Sequence, residues 1–152
     1  VKKTNPEIQL HMIGKLQTNK VKFAVKLFDY IHSVDSEKLA KKIADEQSKI
    51  NKNIKIFLQV NIGDENQKSG INKNELKHLV TYCKEINLDL IGLMCIPPAN
   101  TNPDVYFDEM KNLNKSLGFD ELSMGMSSDF LIAAKYGSTF IRVGSSIFGQ
   151  RF

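Results

Sequence analysis

ELSMGMSSDFLIAAKYGSTFIRVGSSIFGQR, running from Glu121 to Arg151, is the stretch on which the reading of this chain turns. Glu121–Gly125 is a short β-type run, Ser128–Tyr136 carries a helical pattern closed by Gly137, and Phe140–Val143 is β-rich again with Arg142 in its middle. Both strands break into small residues: Gly125 with Ser127-Ser128-Asp129 after it, and Gly144-Ser145-Ser146. Glycine removes the side chain that would block an approaching anion and serine adds a hydroxyl, so two such ends together read as a phosphate cradle. Ordinary turns use the same residues, and at this level both readings stay open.

Upstream, the alternation continues. Gln9–Gly14 (QLHMIG), Tyr30–Val34 (YIHSV), Ile54–Ile62 (IKIFLQVNI) and Leu88–Ile96 (LDLIGLMCI) are apolar runs of strand character. Asn19–Phe28 carries Val21, Ala24, Val25 and Phe28 at helical spacing, and Asp35 is placed to cap a helix through Ile50. Asn72 and Glu75 have capping-box spacing ahead of an apolar stripe of Leu76, Leu79, Val80 and Cys83. Pro103 opens a further helix and Gly118 stops it.

Strict strand–helix alternation with near-continuous apolar strands implies a parallel sheet covered by helices. Six strands and five intervening helices fit either a doubly wound sheet or part of a (β/α)8 barrel. In both, chemistry sits at the carboxyl ends of the strands, where both Gly/Ser breaks lie. The barrel has one added attraction: its usual phosphate site lies in the loops after the last two strands.

With 41% hydrophobic and 25% charged residues over 152 positions, the chain reads as one globular domain. Its net charge of +4 comes from scattered lysines, which favours a solvated surface over nucleic-acid binding. Cys83 and Cys95 lack metal-ligand spacing, which points to a reduced, cytoplasmic protein rather than a disulfide scaffold. No apolar run reaches membrane-spanning length and no signal peptide is evident, so no membrane partner is expected. Nucleotide motifs fail on inspection. Gly144–Arg151 has Walker-spaced glycines, but Gln150 stands where lysine belongs and no helix is expected to follow; in Gly63–Gly70, Gln67 occupies the required glycine position. His11 and His32 fall in strands and His78 beside a helical stripe, with no close carboxylate or cysteine pairing, so no zinc site is expected.

Five segments taken together carry a resemblance: HMIGKLQTNK (His11–Lys20), VNIGDENQKSG (Val60–Gly70), GLMCIPP (Gly92–Pro98), LSMGMSSD (Leu122–Asp129) and GSTFIRVGSSIFGQR (Gly137–Arg151). In order and spacing the chain resembles the pyridoxal phosphate homeostasis proteins, single-domain relatives of the alanine racemase barrel domain. The resemblance implies a (β/α)8 TIM-type barrel of the alanine racemase N-terminal domain kind that holds pyridoxal 5′-phosphate (PLP). It implies that the Ser127 hydroxyl and the backbone N–H groups of Gly144 and Ser145 contact the cofactor phosphate, with the Ser145 hydroxyl as an extra donor. It places Arg142 at the pyridine-nitrogen side and Met126 in the pocket wall, simple core packing being the alternative for Met126. A cation beside the ring nitrogen disfavours ring protonation and weakens PLP as an electron sink, which suits carrying the cofactor better than catalysing with it.

The family's PLP-bearing lysine lies on the first barrel strand, and a Gly-Glu-Asn motif follows on the second. No lysine of this chain sits in the matching context, and the first residue is Val1. Six strands instead of eight, in a chain short against a usual ~250 residues, agree with that. The expectation is therefore that Val1–Phe152 is a single PLP-binding barrel domain comprising strands 3–8, N-terminally truncated, with the attachment lysine upstream of Val1. Open edges on such an arc are a setting for association, whereas the full-length form is expected to be a monomer. Lys68 reads as a solvated loop lysine, with secondary contact to PLP as the alternative. The functional expectation is intracellular PLP (vitamin B6) homeostasis without enzymatic activity, with PLP-dependent apo-enzymes as onward partners. A PLP-dependent racemase-like enzyme and an unrelated phosphate-binding barrel enzyme are the alternatives.

Overall fold

The structure, a computed structural model, describes residues 4–66 and 69–149 of the chain. Six strands alternate with helices: β1 (His11–Met12), α1 (Val21–Leu27) after a short 3-10 turn, β2 (Tyr30–Val34), α2 (Glu37–Lys49) and β3 (Lys55–Gln59). Then follow α3 (Lys73–Glu85), β4 (Asp89–Met94), α4 (Pro103–Ser116), β5 (Glu121–Met126), α5 (Phe130–Lys135), β6 (Phe140–Arg142) and α6 (Ser145–Phe148). Every strand pair is parallel and the sheet order is β1-β2-β3-β4-β5-β6. A doubly wound sheet would reverse direction at a switch point. This one never reverses, so it is wound like a barrel.

The sheet also curls. In a flat sheet β1 and β6 would lie about 24 Å apart, five spacings of roughly 4.8 Å. Instead the ring of His11 on β1 lies 5.7 Å, centroid to centroid, from that of Phe140 on β6. Side chains alternate across each strand, so two cores result. The outer one packs Ile31, Ile56, Leu58 and Leu93 against Val25, Ile43, Leu79 and Phe107 of the helices. The inner one gathers Tyr30, Phe57 and Met94, with Phe140 packed against them. Among the described residues β1 pairs only with β2 and β6 only with β5.

Local expectations required four corrections. The first strand pairs over His11–Met12 only, not Gln9–Gly14. The cap of α2 is Ser36, whose Oγ accepts the Leu39 amide at 3.3 Å, because the Asp35 carboxylate is engaged by the Gly70 amide at 3.1 Å. Asn72 and Glu75 meet side chain to side chain at 3.3 Å, leaving α3 without a side-chain cap bond. A short helix, α6, does start just after Gly144. At α4 the sequence signal holds: Pro103 opens the helix and the Asn102 side chain caps it by accepting the Asp104 amide at 3.1 Å. Among the described residues no helix is long and apolar enough to cross a membrane.

Candidate functional site

The carboxyl ends of β5 and β6 border a cavity of about 1100 Å³ whose wall includes Met126, Ser127, Arg142, Gly144 and Ser145, together with His11, His32 and Phe140. All five residues singled out by sequence are thus brought to one cavity. Lys68 lies outside the described residues. Met126 is 38% exposed, so it lines the cavity instead of packing in the core.

Local geometry explains how β5 delivers its serine. Gly125 has φ +97, a conformation that L side chains rarely adopt, and a Cβ there would come within 2.7 Å of the Ala133 Cβ on α5. The strand register with β6 shifts between Ser123 and Met126 around this glycine. The Asp129 carboxylate then accepts the Met126 amide at 2.6 Å and turns the chain into α5. Ser127 is left at the tip. Its Oγ accepts the amide of Gly144 at 3.0 Å and that of Ser146 at 3.4 Å. Gly144 is the N-cap of α6 and supplies no side-chain cap, and the Ser146 amide in the first turn bonds Ser127 Oγ, outside the helix. These amides converge on one small oxygen, as they would on a phosphate oxygen. A Cβ at Gly144 would meet nothing within 4 Å, so the cradle opens on space.

Arg142 is 9% exposed and therefore an almost fully buried cation. Its Nη1 donates to Ser123 Oγ at 2.8 Å and its Nη2 to the Cys95 carbonyl at 2.8 Å. Its Nε is buried without a hydrogen-bond partner among the described residues. Burial pulls its pKa down, countered by the field of Asp129. A buried donor left unmatched is costly, and the residue that carries it lines the cavity.

Sequence reasoning weighed His11 and His32 only as zinc ligands and gave neither, nor Ser123, a place in the site. His11 Nδ1 lies 2.9 Å from His32 Nε2, and His32 Nδ1 lies 2.9 Å from Ser123 Oγ. Burial first, then the neighbouring His11 and Arg142, pushes His32 down to about 3; burial also lowers His11 against the opposing pull of Asp29. Both imidazoles are neutral at pH 7. The one signal available was polar residues set inside apolar strand runs. His78, read as lacking a carboxylate partner, has Glu37 Oε1 at 2.7 Å across α2 and α3. No group of three or more His, Cys, Asp or Glu that could hold a metal occurs among the described residues. Cys83 and Cys95 are free and buried, and burial pushes both thiols up to about 12. Burial thus disfavours the thiolate form of both.

Comparison with known proteins follows the same lines. Residues 2–151 match the family model described as alanine racemase, N-terminal domain. The chain is 38% identical to the pyridoxal phosphate homeostasis protein of Aquifex aeolicus, over 95% of this chain and 68% of that one. To the protein of the same name from Synechocystis it is 39% identical, covering 95% and 71%. Among solved structures, PipY of Synechococcus elongatus with PLP bound superposes with a TM-score of 0.90 at 32% identity, covering 97% of this chain and 74% of that one. An alanine racemase from Clostridium difficile, at 15% identity and a TM-score of 0.70 over 97% of this chain and 42% of that one, shares the fold. The chain therefore belongs to the alanine racemase N-terminal domain family and, within it, to the pyridoxal phosphate homeostasis proteins.

Proposed function

We propose that this chain binds PLP and serves its homeostasis, with the phosphate in the cradle of Ser127, Gly144 and Ser145 and the pyridine nitrogen toward Arg142. The carrying observation is the pairing, in one cavity wall, of a neutral-donor cradle with a buried arginine whose Nε lacks an acceptor. A phosphate dianion suits converging amides and hydroxyls, and an unprotonated ring nitrogen suits an N–H that cannot give up its proton. Met126 contributes apolar wall. When bound, PLP supplies an aldehyde and an electron-withdrawing ring. Arg142 beside the nitrogen keeps that ring unprotonated, which favours holding the cofactor over catalysis with it. We read the protein as a cytoplasmic, non-catalytic PLP carrier that serves PLP-dependent apo-enzymes. Measured alanine racemisation by the purified protein would overturn the non-catalytic part.

The test of the cradle is Gly144→Val. A Cβ at this position meets no protein atom within 4 Å, so the variant should fold as the wild type does. Its side chain enters the space assigned to the phosphate, and PLP affinity should fall at least about tenfold, the equivalent of losing one charge-assisted hydrogen bond of about 1.5–3 kcal/mol. Fluorescence titration with PLP reads this out; an unchanged Kd sinks the assignment.

No lysine lines the cavity among the described residues. We therefore propose that no lysine of Val1–Phe152 is dedicated to the cofactor. Borohydride reduction with excess PLP, followed by peptide mapping, should give low labelling spread over surface lysines. One stoichiometric label on a single lysine of this chain, Lys68 included, would overturn the proposal.

A further inference from the structure

Beyond the phosphate cradle, the inner face of the sheet holds four polar side chains in a row: Arg142, Ser123, His32 and His11. Their protons can be assigned by elimination. Arginine only donates, so the bond of 2.8 Å from its Nη1 makes Ser123 Oγ an acceptor. Ser123 is fully buried, and its oxygen has one other partner among the described residues, His32 Nδ1 at 2.9 Å. The hydroxyl proton must go there, since a buried hydroxyl without an acceptor is penalised. His32 Nδ1 is thus an acceptor. A neutral imidazole carries a single proton, so the His32 proton is on Nε2 and donates to His11 Nδ1 at 2.9 Å. His11 in turn carries its proton on Nε2, which has no partner among the described residues, and its ring lines the cavity. The His11 ring is held by stacking on Tyr30 at 4.1 Å with planes 9° apart, and His32 by stacking on Phe57 at 4.4 Å.

We propose that these four residues form a one-way hydrogen-bond relay, in which Ser123 and His32 are positioning residues that fix the Arg142 guanidinium, and whose open end presents the His11 Nε2–H to the cavity as a further ligand donor. The relay rests on the side-chain geometry alone; the ligand role of His11 rests on the PLP reading. Among the described residues Arg142 has no carboxylate bonded to it, so its orientation comes from two neutral acceptors, Ser123 Oγ and the Cys95 carbonyl. Removing one frees the guanidinium to turn about the other and spoils the aim of Nε. An oxygen acceptor on the ligand accepts the hydrogen bond of the His11 Nε2–H as the final member of the chain.

Long-range ¹H–¹⁵N spectra of the imidazoles in the ligand-free protein test the relay. Both His11 and His32 are expected as Nε2–H tautomers, and the Arg142 Nη protons as resolved, slowly rotating signals. Ser123→Ala should collapse the Arg142 signals to an average and weaken PLP binding severalfold. Either histidine carrying its proton on Nδ1 in the wild type overturns the relay, as does a Ser123→Ala protein with unchanged Arg142 signals. Gly144→Val serves as the separating control: it should weaken PLP while leaving both tautomers and the Arg142 signals as in the wild type. Intact tautomers with no effect of Gly144→Val on PLP would sustain the relay and reject the cradle. For the ligand role, PLP should shift the His11 Nε2 resonance; a His11 signal unmoved at saturating PLP rejects it.

Discussion

Acidification from pH 6.5 to about pH 3 should cost this protein roughly 4–5 kcal/mol of folding stability through His32 alone. The imidazole is 1% exposed and its pKa is pushed down to about 3. In the unfolded chain an ordinary histidine titrates near 6.5, so between these values the unfolded state binds one proton more than the folded state. Stability is therefore full above about pH 6.5 and falls with acid at about 1.4 kcal/mol per pH unit until the buried ring itself protonates. Against a total of about 5–15 kcal/mol for an ordinary domain this is decisive. Other groups also respond to acid. Glu46, held down to about 2 by hydrogen bonds from Lys42 and Lys49, contributes stability that is lost as pH falls through the acid range. Comparing the wild type with His32→Gln cancels those contributions. Urea unfolding at pH 7, 6, 5 and 4 should show the stability advantage of the wild type shrinking by about 1.4 kcal/mol per unit below pH 6. A difference that does not vary with pH would mean that His32 takes up a proton as readily in the fold as in the unfolded chain, and would remove the burial argument for its neutral state.

Gly92→Ala should destabilise the fold by about 3–5 kcal/mol, although it adds one methyl group. Gly92 pairs with Glu121 where β4 meets β5. A Cβ on it would lie 1.8 Å from the Glu121 carbonyl oxygen and 2.7 Å from its carbon, with the Phe57 ring at 3.2 Å. Backbone cannot swing aside as a side-chain tip can, so β5 must leave β4 locally and ladder bonds must stretch or break. β5 carries Ser123 and Met126 and leads into Ser127, so the damage falls on the cavity. A thermal melt should drop by about 10 °C or more for a chain of this size. Gly144→Ala is the matched control, because a Cβ there meets nothing within 4 Å, and its melt should stay within a degree or two of the wild type. A Gly92→Ala protein that melts with the control would mean that the β4–β5 approach is looser than these distances require.

What could be read before folding is what depends on neighbours along the chain. Tyr30–Val34 emerges as β2 with the bounds its apolar run implies, and the helices start and stop near their proline and glycine signals. The Gly/Ser ends at Ser127 and Gly144 were legible because missing side chains and short hydroxyls are a local property of composition, and both ends border one cavity. Family likeness rested on the same five local motifs.

What tertiary structure alone decided involves partners far apart in sequence. Alternation could not choose between barrel and doubly wound sheet, because strand order is a matter of which strands pair. The cap of α2 moved from Asp35 to Ser36 because the amide of Gly70, 35 residues away, claims the Asp35 carboxylate. His32 and Ser123 are 91 residues apart, and no pattern in either strand announces the other. Only when the sheet curls do β1, β2, β5 and β6 turn their inner faces toward one space. Ser123, His32 and Arg142 are buried there, and each must find its partner among the few groups within reach. That scarcity orders the four-residue network and leaves the Arg142 Nε without a partner among the described residues.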